Sequence, residues 1–262
     1  MNPVFSFQRG ATPLLVSIPH AGIQLPEVIR TRLTEHALQL PDTDWFVDRL
    51  YHWVVDRGAG LLVANYSRYV IDLNRPPDNA ALYSGPGTGL IPEQSFDGGP
   101  LYKEGSKPGK TEPAQRKAQY WQPYHEKLAT ELLQIRERFG YAILLDAHSI
   151  RSVVPRLFDG RLPDLNLGSN SGASADPGLV AASIEVLGGD SCYSAVLDGR
   201  FKGGYITRNF GMPGEKFHAL QLEMAQTCYM HEQPPTYDQA KAARVQAVLR
   251  SFVDTLLEWS PS

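Results

Sequence analysis

Short apolar runs alternate with amphipathic stretches along this chain. Residues 141–150, YAILLDAHSI, carry an apolar run into Asp146, Ala147, His148 and Ser149. The run follows Gly140, which closes a long helical pattern, so it reads as a fully buried strand of a mostly parallel sheet. LLVSIP at 14–19 reads as a second strand, stopped by Pro19 and followed by His20, Ala21 and Gly22. Residues 61–64 and 69–73 read as strands too. The second runs into Asn74, Arg75, Pro76 and Pro77, where two prolines forbid further ladder or helix. Residues 194–197, 204–207 and 220–224 complete the predicted strands, with Glu223 inside an otherwise apolar run.

Helical spacing is plain at 44–57, where Val47, Leu50, Tyr51, Val54 and Val55 share a stripe and Gly58 is the stop. Asp44 stands at its N-cap or first turn. Residues 112–139 form a long amphipathic helix with Trp121, Tyr124, Leu128, Leu132, Ile135 and Phe139 on one face. Residues 177–187 and 237–259 are the remaining helices, the last with Val245, Val248, Phe252 and Leu256 inward. Two stretches lack periodicity. The first, 77–111, is rich in Gly and Pro but carries Tyr83, Leu90, Ile91, Phe96, Leu101 and Tyr102. A long loop with that many apolar anchors reads as an ordered excursion over part of a site. The second, 152–172, reads as loop. Strands alternating with helices predict an α/β fold: one domain over 1–262, with a mixed, mostly parallel sheet and helices on both faces.

Composition narrows the function. A net charge of −3 with no basic block argues against a nucleic-acid partner, which needs a clustered positive face. The first residues lack a signal-peptide pattern, and no apolar run approaches the roughly 18 residues of a membrane span. Cys192 and Cys228 have no CxxC spacing and sit in apolar surroundings, which reads as two buried free thiols and fits a reducing cytoplasm. No P-loop or GxGxxG follows a strand, against a nucleotide cofactor, and no GxSxG elbow marks a serine nucleophile.

The polar clusters at predicted strand ends and helix starts carry the chemistry: His20, Asp42 and Asp44, Asp72 to Arg75, and Asp146 with His148. Glu223 joins them from within its strand. Two histidines and a carboxylate with an open position make a common catalytic zinc set, and a further carboxylate can take a proton from water. Each residue also has a plain structural use. Asp44 could be only a helix cap, His148 a satisfied core histidine, and Glu223 the partner of a core arginine. Nothing matches HExxH or zinc-finger spacing.

The blocks SIPHAG, DTDWFVDRLY, SRYVIDLNRPPD, YWQPYHEKL, LLDAHSI, PDLNLGS, GRFKGGYITRNFG and HALQLEMAQTCYM, in this order, closely resemble the N-formylglutamate deformylase family over nearly the whole chain. That family cleaves N-formyl-L-glutamate to formate and L-glutamate at the end of one route of histidine degradation. It belongs by fold with the zinc carboxypeptidases. The resemblance implies a zinc-carboxypeptidase-like fold and one divalent metal ion held by His20, Asp44 and His148, a site that suits zinc first and also iron, cobalt or nickel. Glu223 is the implied base. Asn74 and Arg75 would hold the α-carboxylate, and Arg68 would assist at the oxyanion or the same carboxylate. The carboxypeptidase pattern has a glutamate three residues after its first histidine, and here that position is Ile23. The acidic ligand must come from elsewhere, Asp44 or Asp42. Counting back from Glu223 as in those relatives gives Arg208 as the reader of the γ-carboxylate, with Arg200 and Lys202 as alternatives. The partner is a small molecule. A deacylase for another N-acyl amino acid, and a non-catalytic amino-acid-binding protein, are the competing functions.

Overall fold

The computed structural model describes residues 3–82 and 88–261. Its frame is a seven-stranded sheet in the order β1-β3-β2-β4-β7-β5-β6. The strands are β1 (Phe5–Gln8), β2 (Leu14–Ile18), β3 (Gly60–Ala64), β4 (Ala142–Ile150), β5 (Leu165–Gly168), β6 (Ala195–Leu197) and β7 (Phe217–Ala225). The central strands β3, β2, β4 and β7 run parallel, and β5 pairs parallel with β6. Two pairings are antiparallel, β1 on β3 and β5 on β7. The expected mixed, mostly parallel α/β sheet is what forms.

Period-two alternation sends successive side chains to opposite faces. On β4, Ile143, Leu145 and Ala147 enter one apolar layer, while Ala142 and Leu144 enter the other. On β7, Leu220, Leu222 and Met224 share the first layer, and Phe217 and Ala219 the second. Helices cover both faces. The short helices α1 (Glu27–Arg30) and α2 (Glu35–Leu38) come first, then α3 (Val47–Tyr51), continued by a 3₁₀ turn at His52–Val55. Next are α4 (Glu112–Arg116), α5 (Gln122–Phe139), α6 (Pro177–Gly188), α7 (Tyr205–Phe210) and α8 (Gln239–Glu258). Side chains of α3, α6 and α8 fill the first layer, and Tyr124, Leu128 and Leu132 of α5 fill the second. A small hairpin, β8 (Met230–Glu232) with β9 (Pro235–Tyr237), precedes α8.

Several expectations need correction. Residues 69–73 are not a strand but turns and irregular chain. The strand that precedes them, β3, is already paired on both sides, by β1 and β2. Residues 204–207 belong to a helix, α7, not a strand. Its first N–H groups find side-chain acceptors, Gly204 N–H on Gln221 Oε1 at 2.7 Å and Ile206 N–H on Asn74 Oδ1 at 2.8 Å. The loop expected at 152–172 contains β5, which closes the free edge of β7. The long helix of 112–139 is interrupted by a π-helical turn at Lys117–Trp121, next to Pro123, whose missing N–H breaks the regular bonding. Cys192 is exposed, and only Cys228 is buried. Of the loop anchors, Leu90, Phe96, Leu101 and Tyr102 are buried as expected, while Tyr83 lies outside the described residues.

The centre of the sheet holds the fold together. Leu145 is fully buried in the first apolar layer. Leu145→Ala is expected to lower unfolding free energy by about 2–5 kcal/mol through lost burial and a cavity. Val28→Ala, at a 75% exposed position, should stay within about 0.5 kcal/mol. Urea denaturation of both variants checks the contrast.

Candidate active site

The two apolar faces change character at the carboxyl ends of β4 and β7. On the second face, Ala142 and Leu144 give way to Asp146 and His148, and Phe217 and Ala219 to Gln221 and Glu223. The register sets Asp146 beside Gln221 and His148 beside Glu223. His20 follows the end of β2, where Pro19 stops the strand. The chain there lies so close to 65–66 that a Cβ on Gly22 would come within 2.4 Å of the Tyr66 carbonyl oxygen. Only glycine permits that approach.

Asp44 is not the cap of α3. The helix begins at Val47 with Phe46 in a left-handed conformation and no side-chain cap bond. The Asp44 carboxylate instead reaches across to β4, accepting from Ser149 N–H at 3.1 Å and facing His148 Nδ1 at 3.0 Å. Its other near neighbours are His20 Nδ1 at 3.9 Å and Arg68 Nη1 at 3.7 Å. His20, Asp44 and His148 are buried, and one ligand atom from each lies within 4.8 Å of the others. Asp42, the alternative acid, points elsewhere and accepts from Tyr69 Oη at 2.7 Å and Phe96 N–H at 2.9 Å.

Each histidine is oriented by a second buried carboxylate. His20 Nε2 donates to Asp72 Oδ1 at 2.8 Å, leaving Nδ1 to accept from Arg68 Nη2 at 3.0 Å. Burial, reinforced by Arg68, pushes His20 below the ordinary imidazole value, which favours the neutral ring. His148 Nε2 lies 2.9 Å from Asp146 Oδ2 and 2.9 Å from the Asn74 amide nitrogen. Burial alone would depress His148, but Asp146 and Asp44 hold it well above the ordinary value. Asp72 is held well below the usual carboxylate range against its burial, chiefly by His20 and Arg68. Both rings set Nε2 beside an aspartate; His148 Nδ1 faces Asp44 at 3.0 Å, and His20 Nδ1 lies 3.9 Å from it, next to Arg68. A carboxylate behind a ligating histidine is the usual support of a metal site. The donor set fits a divalent cation: it would replace the proton between His148 and Asp44, and a neutral His20 supplies the second nitrogen.

The three residues line one side of a cavity of about 270 Å³. Arg68, Asn74, Arg75, Phe96, Arg200, Gln221 and Glu223 share its wall. Burial pushes the Glu223 carboxyl up to about 8, with Asp44 and Asp146 adding to the shift. The Asn74 amide is already committed, its Oδ1 to Ile206 N–H and its Nδ2 to Asp146 Oδ2 at 3.0 Å and His148 Nε2 at 2.9 Å. Arg75 bonds Thr88 O at 2.7 Å and Asn74 O at 3.1 Å from the cavity rim. Arg208 does not line the cavity among the described residues. It donates to Gly203 O at 2.8 Å and Leu82 O at 3.3 Å, behind the loop. Arg200 does line it. The structure thus gathers His20, Asp44, Arg68, Asn74, Arg75, His148 and Glu223, and leaves Arg208 outside. The sequence reading gave no separate role to Asp72, Asp146 or Gln221. Two of these carried a signal: Asp146 and Gln221 stand two positions before His148 and Glu223 in period-two strands, hence on the same face.

Comparison with known proteins agrees along the length of the chain. Residues 12–230 match the family model described as N-formylglutamate amidohydrolase. The chain is 52% identical to the N-formylglutamate deformylase of Pseudomonas aeruginosa, covering 99% of this chain and 98% of that one. It is 51% identical to the N-formylglutamate deformylase of Pseudomonas putida, covering 99% and 97%. A crystal structure of N-formylglutamate amidohydrolase from Ralstonia eutropha JMP134 superposes with a TM-score of 0.82 at 26% identity, covering 96% of this chain and 97% of that one.

The support for the histidines is open to test at Gly204. A Cβ there would fall 2.4 Å from Asn74 Nδ2, displacing the amide that holds Asp146. Loss of an outer partner typically costs about 10–100-fold in metal affinity. Gly204→Ala is expected to weaken divalent-metal binding by that factor in chelator competition, with its circular dichroism unchanged.

Proposed function

The chain belongs to the N-formylglutamate amidohydrolase family, and from that premise we propose that it hydrolyses N-formyl-L-glutamate to formate and L-glutamate with one divalent ion, zinc, held by His20, Asp44 and His148. The observation that carries this reading is the pair of buried histidines gathered with Asp44 beside a cavity walled by arginines. A divalent ion held there supplies Lewis acidity toward water and the formyl carbonyl. The remaining steps belong to the protein's own residues. Glu223 accepts a proton from the attacking water and passes it to the amide nitrogen as the C–N bond breaks and a C–O bond forms. Burial suits it to hold that proton between the two transfers. Arg68, buried beside His20 and Asp44, faces the charge that develops on the formyl oxygen.

The substrate carries two carboxylates, and the cavity offers an arginine for each. Arg75 takes the α-carboxylate with its planar fork. Asn74 contributes by fixing Asp146 and the backbone beside Arg75. Arg200 takes the γ-carboxylate in place of Arg208, because it lines the cavity and Arg208 does not. In this reading the reaction closes a route of histidine degradation. The free thiols Cys192 and Cys228 support the reducing cytoplasm as its location.

Formate release should be lost on chelation and restored by a divalent ion. Glu223→Gln should keep the metal and lower kcat by about 10²–10⁴-fold, the usual contribution of a general acid–base. A Gln variant with near-normal kcat would remove Glu223 from the mechanism.

Arg200→Ala should raise KM for N-formylglutamate far more than for uncharged N-formylmethionine. Removing one partner of a desolvated charge pair costs roughly 2–5 kcal/mol, so selectivity should fall by at least about tenfold. Arg208→Ala should leave the ratio nearly unchanged. Equal losses on both substrates for Arg200→Ala would assign it to the cavity wall alone.

A further inference from the structure

The segment from Tyr69 to Arg75 bears Asp72, Asn74 and Arg75 yet lies outside the sheet, so its carbonyl groups have no ladder to accept from. A buried carbonyl without a donor is costly. The helical stretch from α4 to α5 supplies donors from side chains instead. Arg116, 3% exposed, donates through Nη1 to Val70 O at 2.9 Å and weakly to Tyr69 O at 3.4 Å. His125 Nε2 donates to Leu73 O at 2.8 Å, and Trp121 Nε1 donates to Arg75 O at 3.0 Å. Between these two, the Asn74 carbonyl accepts from Tyr205 N–H of α7 at 3.4 Å. Three successive carbonyls are thus held from two helices.

Trp121 and His125 form one unit. They are four residues apart, so they share a helix face. Their rings stack at 3.7 Å between centroids and 18° between planes, and the Phe210 ring lies 5.9 Å from His125 at 11° between planes. His125 Nδ1 is buried with no partner, as the unprotonated nitrogen of a ring whose Nε2 is the donor. Burial pushes the ring down to about 4, so it stays neutral and keeps one fixed donor in the neutral range. The π-helical turn at Lys117–Trp121 follows Arg116 directly and ends on Trp121. It adds a residue to the helix and so sets which face Arg116 presents relative to Trp121 and His125. All three then reach the same irregular segment.

We infer that Trp121 and His125 are positioning residues for the hydrolysis: stacked on one helix face, they hold the carbonyls of Arg75 and Leu73 and so aim the Arg75 guanidinium at the substrate α-carboxylate. This rests on the reading of Arg75 as a substrate residue. Neither side chain lines the cavity among the described residues, so each acts through the backbone it holds.

The test is a double-mutant cycle on formate release. Trp121→Phe keeps the ring and removes the donor. A single neutral hydrogen bond is worth about a three- to tenfold change in an equilibrium, so KM for N-formyl-L-glutamate should rise by that factor with kcat and metal content nearly constant. In an Arg75→Ala background the same substitution should change KM by less than about twofold, because coupled residues are not additive. An equal factor in both backgrounds overturns the clamp while leaving the substrate role of Arg75 standing. An Arg75→Ala variant with unchanged KM overturns that role and the clamp with it. A second pair covers a Trp121 variant that fails to fold. His125→Phe should raise KM, and His125→Gln, which can restore a donor to Leu73 O, should recover it. Failure of Gln to rescue would assign His125 to packing alone and overturn the inference.

Discussion

Asp44, Asp72 and Asp146 are each at most 1% exposed, and an ionised carboxylate out of water is held only by opposite charge and hydrogen bonds. The chain meets that demand with two rings and a guanidinium. His20 lies between Asp72 and Asp44, His148 between Asp146 and Asp44, and Arg68 spans Asp72 and Asp44. No member of the set can be removed without leaving another uncompensated. The same balance of buried charge gathers His20, Asp44 and His148 into a candidate cation site, with His148 Nδ1 3.0 Å and His20 Nδ1 3.9 Å from Asp44. Beneath it, Ser17 Oγ donates to Asp146 Oδ1 at 3.3 Å and meets Tyr124 Oη at 3.0 Å, tying the cluster to the floor of β2 and to α5.

The scaffold separates two tasks. Parallel strands place His20, Asp146, His148 and Glu223 with the rigidity of a ladder, at the carboxyl ends where open α/β sheets collect their chemistry. Asp44 and the Tyr69–Arg75 segment come from irregular backbone, which can bring a carboxylate or guanidinium into a position no strand would offer. Such backbone must be held by other means, and here the donors are side chains of the helical stretch from α4 to α5 together with the amino end of α7. A third, small apolar cluster of Phe96, Ile150, Val154 and Leu162 lies apart from the two main layers, built from the end of β4 and from loop residues. Phe96 joins it to the site, with the Arg68 guanidinium 4.8 Å from its ring centre.

Much of this was legible in the sequence. The runs ending in Asp146–His148 and at Pro19 were strong signals, because buried parallel strands read as continuous apolar stretches, and they placed both histidines. The apolar run around Glu223 did the same for that carboxylate. Local pattern failed where pairing and not propensity decides. Residues 69–73 have the composition of a strand, but β3, the strand before them, is already paired on both sides. Residues 204–207 turn helical because Gln221 and Asn74, distant in sequence, accept their N–H groups. Asp44 looked like a helix cap because only the fold brings β4 within reach of it. Counting residues back from Glu223 reaches Arg208, which is not among the described residues lining the cavity, whereas Arg200 is.

The central claim is that Asp72 and Asp146 fix the two histidine rings so that their Nδ1 atoms, with the Asp44 carboxylate, hold one divalent ion. A crystal structure of the zinc-loaded protein, with the ion located by its anomalous scattering, tests this most directly. The account predicts a single strong peak bonded to His20 Nδ1, His148 Nδ1 and Asp44, with both Nε2 atoms still on Asp72 and Asp146. Ligation through either Nε2, or through Asp42 in place of Asp44, would contradict it.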